Sequence, residues 1–214
     1  MYLSDQSLNI RHLGITAFVE TCQAMQDFTA QRTAKTPDEL WLTAHPSVYT
    51  LGLNRKAVRT PWRDDIPLVL TDRGGKITYH GLGQVIIYVL VDLTRRQLNV
   101  RSLVSVLEAA VVELLADFGV PATAKKEAPG VYVSLANGQE AKIASLGLRV
   151  KNGCCYHGLS LNVDMDLSPF EAIDPCGYAG LKVTQTKDLG IDANQQLLSA
   201  LLLEKLTAKL DKTA

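Results

Sequence analysis

The sequence predicts an α+β fold in a single domain over residues 1–214, a mixed β-sheet flanked by helices. Three observations predict it. Helical signals fall near both ends and mid-chain, hairpin-like strand pairs lie between them, and the two do not alternate as a βαβ chain would. With 214 residues at 47% apolar content, the chain is long enough to bury one core. Its 22 basic side chains balance 22 acidic ones, whereas gripping nucleic acid needs a basic surplus. The longest apolar run, residues 85–91, is far short of the roughly 20 residues that span a bilayer. Residues 1–14 show no basic start followed by an apolar block, so no signal peptide is visible. The expectation is a cytoplasmic protein with neither nucleic-acid nor membrane partners.

The elements follow in order. Residues 8–13 read as a first strand, and Thr16 is placed to cap a helix in which Phe18, Cys22 and Met25 recur at helical spacing. Short strands at 40–43 and 47–51 flank Pro46, and residues 68–71 lead into a glycine-rich segment. Residues 84–91, rich in Val and Ile, read as a buried strand. The clearest helix carries Leu103, Leu107, Ala110, Val111, Leu114 and Phe118 on one face, and Gly119 and Pro121 end it. Strands at 131–134 and 141–150 flank Asn137-Gly138, and Asn152-Gly153 joins the second to a strand at 154–163. A last helix covers 193–210, with Asp192 as its cap and Gln195 three residues on, in the manner of a capping box.

Four cysteines occur without a CxxC pair, so neither a zinc site nor a disulfide scaffold is signalled. Cys22 falls on a helix's apolar face and reads as core. Cys154 and Cys155 are neighbours on a strand, so one should face in and one out. Cys176, between Pro175 and Gly177, sits in a loop-like setting where a sulfur can be exposed. It is a candidate nucleophile, against the ordinary reading of a small buried hydrophobe.

Residues 72–84, DRGGKITYHGLGQ, concentrate glycines beside functional side chains. No P-loop pattern is present, Ile86 stands where GxGxxG needs its last glycine, and the segment leads into a strand rather than a helix N-terminus. A tight turn would account for the glycines but not for Arg73, Tyr79 and His80. Tyr79-His80-Gly81 returns as Tyr156-His157-Gly158, again on a predicted strand. A lone strand histidine is ordinarily a core residue; the repeat is what marks these two as functional candidates.

Residues 73–84 resemble the signature of the lipoyl(octanoyl) transferases, usually RGGxxTYHGPGQ. The resemblance continues through Lys142-Ile143-Ala144-Ser145-Leu146-Gly147, His157-Gly158-Leu159-Ser160-Leu161-Asn162-Val163 and Ile173-Asp174-Pro175-Cys176-Gly177, in the family's order. One departure is Leu82, where the family usually has proline; leucine there restores a backbone N–H and frees φ. The resemblance implies a fold similar to the catalytic domain of biotin and lipoate protein ligases. It implies transfer of an octanoyl group from acyl carrier protein to a lysine of a lipoyl domain, through an acyl-cysteine. The acceptors implied are 2-oxoacid dehydrogenase E2 subunits and glycine cleavage H protein, with no cofactor and a monomeric enzyme. It makes Cys176 and Lys142 a catalytic dyad. It implies that Arg73, Gly74, Gly75, Lys76, Ile77, Thr78, Tyr79, His80, Ser145, Leu146, Gly147, His157, Gly158, Leu159 and Ser160 bind substrate, with Leu146 and Leu159 touching the acyl chain.

The chemistry suits those residue types. A cysteine takes an acyl group from a thioester and keeps it as a thioester. Free cysteine is only about 3% thiolate at pH 7, and a lysine ammonium lowering its pKa by about two units would raise that to roughly 75%. By its residues alone Lys142 is an ordinary solvated strand lysine. Arg55, Lys56, Arg59 and Arg63 concentrate positive charge, read either as solvated surface or as a landing patch for an acidic carrier protein. Two other readings stay open: an ATP-dependent lipoate or biotin ligase, and a non-enzymatic acyl-binding protein.

Overall fold

Residues 8–174 and 181–212 are described in a computed structural model of the chain. In chain order the elements are β1 (Leu8–Ile15), α1 (Phe18–Gln31), β2 (Asp38–Ala44), β3 (Val48–Leu51), β4 (Leu68–Leu70), β5 (Ile77–His80), β6 (Gln84–Asp92), α2 (Val100–Asp117), β7 (Ala122–Ala124), β8 (Gly130–Ser134), β9 (Glu140–Lys151), β10 (Cys154–Asn162), β11 (Lys182–Val183) and α3 (Gln195–Asp211). The main sheet runs β1-β2-β6-β10-β9-β8-β7, with β11 beside β9, and a small sheet runs β4-β3-β5. β1 is parallel to β2 and β11 to β9; β6 is antiparallel to both β2 and β10. The mixed sheet and flanking helices are those the sequence predicts.

β6 shows why its sequence is a continuous apolar run. Val85, Ile87, Val89 and Val91 pack into the core under α2 and α3, while Ile86, Tyr88 and Leu90 pack with Met25 and Trp41 on the α1 side. Both faces of the strand are covered, so alternation vanishes from the composition but not from the geometry. The same fact corrects the expectation for Cys154 and Cys155. Both are buried, because β10 lies in the middle of a sheet covered on both sides.

α2 buries Leu103, Leu107, Leu114 and Leu115 completely. At roughly 1.5–3 kcal/mol for each such side chain, this face rather than helix propensity holds the helix. Asn99 and Ser102 close its start reciprocally, each side chain accepting from the other residue's backbone N–H at 2.9 Å. The other two starts differ from expectation. α1 begins after Ala17, and the Thr16 hydroxyl bonds Thr21 and Thr43 at 2.8 Å instead of capping. α3 is capped by Asn194, two residues beyond Asp192, and Gln195 donates to the Gln84 carbonyl of β6 at 2.9 Å. At α1 the Thr16 hydroxyl is taken up by other hydroxyls, and at α3 a nearer side chain supplies the cap.

Candidate active site

The glycine-rich loop closes a cavity against the α1 side of the main sheet. Its floor is three strands in register. Ser145 of β9 lies opposite Ser160 of β10, which lies opposite Ile86 of β6; the next row is Gly147, Gly158 and Tyr88. Gly158 is required here by close approach, since a Cβ would meet the Ile87 carbonyl oxygen at 2.0 Å. The wall is the loop, pinned on both sides. Gly74 donates its N–H to Leu148 O at 2.8 Å, while the N–H groups of Gly52, Leu53 and Asn54 donate to the carbonyls of Lys76, Arg73 and Gly75. The buried Arg73 guanidinium ties the loop to β3 through Thr50 O at 2.6 Å and Thr50 Oγ1 at 2.8 Å. The cavity and its mouth hold about 520 Å³.

Arg73, Gly75, Lys76, Ile77, Thr78, His80, Ser145, Leu146, Gly147, His157, Gly158, Leu159 and Ser160 all line this cavity. The loop motif and the two strand motifs, far apart in sequence, thus meet in one place. Leu159, and the partly buried Leu146, also pack against the core under α2 and α3, so both stand between that core and the cavity. Gly74 lies behind the wall. Tyr79 also points elsewhere: its hydroxyl bonds Ser47 Oγ at 2.9 Å and its ring packs on Tyr49 and Phe170. Alternation along β5 sends Thr78 and His80 to the cavity and Tyr79 to the small-sheet core.

Phe18, Ile86 and Tyr88 line the cavity and were not expected there. Alternation on a strand known to bury both faces would have paired Ile86 with Tyr88; nothing in the sequence pointed Phe18 at the site. Phe18 and Tyr88 make this side of the cavity aromatic. Phe18 stacks on His80 at 6.0 Å and meets His45 edge-on at 5.5 Å.

Each histidine around the cavity has a fixed tautomer, set by its partner. His45 donates from Nδ1 to Thr16 O and accepts at Nε2 from Tyr88, both at 2.7 Å. His80 donates from Nδ1 to Gln84 Oε1 at 2.8 Å. His157 donates from Nε2 to Asp72 Oδ1 at 2.8 Å. Burial pushes His80 down to about 3, with the nearby His45 adding to it, and burial lowers His45 and His157 also. All three are neutral near pH 7. The His157 hydrogen bond holds Asp72 well below the usual carboxylate range, so the pair is carboxylate and neutral imidazole.

Cys22 is half-buried rather than core, and its sulfur lies with Asp72 and His157, their ligating atoms all within 4.8 Å of one another. Asp72 already accepts from His157, Tyr156 and Gln26, and burial raises the Cys22 thiol. The group is a hydrogen-bonded carboxylate with a protonated thiol beside it, not a prepared metal site.

Lys142 is buried, and its Nζ donates to Pro129 O at 2.9 Å. A register shift between β8 and β9 falls beside it, Val131 opposing Ala144 and Tyr132 opposing Lys142; such irregularities re-aim side chains. Burial raises the nearby Glu108 carboxyl, while the Gly130 N–H and Lys142 hold it down. Cys176 lies outside the described residues. Of the basic group, Arg59 pairs with Asp174 at 3.4 Å and Arg63 with Asp65 at 2.5 Å.

A sheet of this order, with a glycine-rich loop closing a cavity on one face, defines a catalytic domain of the lipoate and biotin protein ligase type. A bipartite lipoate protein ligase of an archaeal lipoylation system from Thermoplasma acidophilum has this fold, with a TM-score of 0.75 at 16% identity over 96% of this chain and 84% of that one. Biotin protein ligase from Aquifex aeolicus follows at 0.55 and 15%, over 95% and 69%. The chain matches the lipoyl protein ligase A/B catalytic domain over residues 19–207 and belongs to that family. An octanoyltransferase of Dechloromonas aromatica is 56% identical over 94% of this chain and 97% of its own. One from Thiobacillus denitrificans is 58% identical over 88% and 84%.

Proposed function

We propose that the chain is an acyltransferase that moves an octanoyl (or lipoyl) group from acyl carrier protein to a specific lysine of lipoyl domains, through an acyl-cysteine at Cys176. The observation that carries this reading is the 56% identity, over nearly the whole of both chains, to a protein named octanoyltransferase. The cavity supports it: Phe18, Ile86 and Tyr88 offer apolar surface to a hydrocarbon chain, with strand and loop residues around the remainder.

In the first half-reaction the Cys176 thiolate attacks the thioester carbonyl of the donor. The donor's C–S bond breaks, its thiol leaves with a proton, and the acyl group is held as a new thioester. In the second, the acceptor's lysine amine attacks that carbonyl, the amide forms, and its surplus proton returns to the leaving cysteine sulfur. Lys142 is the group for both proton movements, a buried ammonium already fixed by Pro129. Lys182, six residues after Cys176, belongs to a strand that pairs with Ala141 and Lys142. The donor arrives activated, so the chemistry needs no cofactor. Acceptors of this chemistry are the lipoyl domains of 2-oxoacid dehydrogenase E2 subunits and glycine cleavage H protein, served by a cytoplasmic monomer. Arg55 and Lys56 remain the charged surface for the carrier.

Incubation with octanoyl-acyl carrier protein followed by intact-mass measurement tests this. The wild type should gain one octanoyl group, and Cys176→Ser should gain none. An adduct that survives in Cys176→Ser, or acyl transfer that proceeds only from octanoate plus ATP, would overturn it.

A further inference from the structure

A second hollow lies on the opposite side of the loop wall. It shares Gly75, Lys76, Leu146 and Gly147 with the acyl cavity but opens on the α2 face, and with its mouth holds about 1120 Å³. Val100 and Val104 of α2, Pro129 and Leu148 give it apolar sides, and Asn54 and Lys76 stand at its wall. Its Pro129 is the residue whose carbonyl holds Lys142 Nζ at 2.9 Å. Two compartments therefore share one backbone partition, and the outer one reaches to within a single carbonyl of the buried ammonium.

We infer that this groove is the binding subsite for the thioester arm of the donor, a pantetheine-type chain of methylenes and amides. The inference rests on the acyl-transfer reading above. A thioester has two substituents that must lie on either side of its carbonyl. The inner cavity, with Phe18, Ile86 and Tyr88 in its lining, suits the hydrocarbon; the arm needs an open path to the surface, because it is tethered to a protein. The groove supplies that path. Its aliphatic sides match the methylenes, and the side chains of Asn54, Lys76 and Glu127 can bond the amides. Once the donor thiol has left, the same path admits a lysine side chain, another slender chain tethered to a protein.

Filling the groove tests this. Val104→Trp, on a half-buried position of α2 outside the acyl cavity, should lower kcat/KM for octanoyl-pantetheine at least tenfold, chiefly through KM. Acylation by S-phenyl thiooctanoate, which has no arm, should stay within twofold of wild type and show that the fold is intact. Val100→Trp fills the groove from the exposed first turn of α2 and serves if the Val104 variant does not fold. Equal losses on both donors, no loss on either, or a shift in preferred acyl length would overturn the proposal. A wild-type enzyme that forms no octanoyl adduct with either donor would overturn the transfer reading, and this subsite with it.

Discussion

His157 and Asp72 are 85 residues apart in sequence and 2.8 Å apart in space, the imidazole Nε2–H donating to the carboxylate Oδ1. The bond spans the cavity's two sides, joining β10 to the start of the glycine-rich loop. Its cost is visible in the backbone: His157 has φ 63° in the midst of a strand, a conformation that costs on the order of 1–3 kcal/mol and persists only where the surroundings over-determine it. Tyr156 and Gln26 also donate to the same carboxylate, so Asp72 gathers α1, β10 and the loop around one charge.

That charge gives a pH signature. Asp72 is held below its unfolded value by the His157 hydrogen bond. In the pH range below about 4 the unfolded carboxyl takes up a proton that the folded one resists. The stabilisation is therefore present above that range and lost as pH falls through the folded value. In a His157→Gln background, where no imidazole titrates at the pair, unfolding free energy between pH 5.5 and 3.5 should fall more steeply with Asp72 than with Asp72→Asn. Urea denaturation at several pH values measures both slopes, and parallel curves would remove the role assigned to the carboxylate.

The loop and strand motifs were legible because backbone constraint and side-chain chemistry coincide in them: Gly158 must lack a Cβ, and His157 beside it must reach Asp72. The main helix and central strands were legible from apolar period and length. Tyr79 misled because its neighbours line the site, and only the pairing of β5 with β3 says which face each residue takes. Phe18 was invisible for another reason. On α1 it carries the same apolar signal as any core residue, and its contact with His80 depends on tertiary packing. The start of α1 shifted because the Thr16 hydroxyl bonds Thr43 and Thr21, a tertiary contact, and that of α3 because Asn194 caps it in place of Asp192.

Gly130 tests the placing of Lys142 without altering either proposed catalytic residue. Gly130 has φ 147°, and a Cβ there would come within 2.5 Å of Lys142 Cε and 2.7 Å of Nζ. Gly130→Ala should therefore push the ammonium from the Pro129 carbonyl and strain the backbone, destabilising the fold by roughly 1–3 kcal/mol. Acylation of Cys176 should slow at least tenfold in single-turnover experiments at a temperature where the variant is folded. An unchanged rate would mean that the position of Lys142 does not matter.

Phe18, on the aromatic side of the cavity, should set chain length. Phe18→Leu replaces the ring stacked on His80 with a smaller side chain and costs roughly 1.5–3 kcal/mol of stability, between the Ile→Val and Phe→Ala ranges. A methylene in an apolar pocket is worth on the order of 1–3 kcal/mol of discrimination. The ratio of kcat/KM for decanoyl to octanoyl thioesters should rise about tenfold. A ratio that stays put would place the end of the acyl chain elsewhere.

Leu82 stands where the resembled signature usually carries proline, and it lies outside the acyl cavity. The residue is 55% exposed and lines a separate surface hollow with Ile15 and Gln196. Leu82 and Gly83 form the turn before β6, and Gly83 has φ 86°. A positive φ at the second central residue is the mark of a type II turn, whose first central position favours proline. Leu82→Pro should therefore fit without strain and stabilise by roughly 0.4–1 kcal/mol through the unfolded chain. That amounts to about 1–4 °C in melting temperature for a chain of this length. Because Leu82 takes no part in the cavity lining, kcat and KM for octanoyl donors should be unchanged within twofold. A folded variant with much lower activity would show that the leucine's side chain or its amide serves the site from outside the cavity.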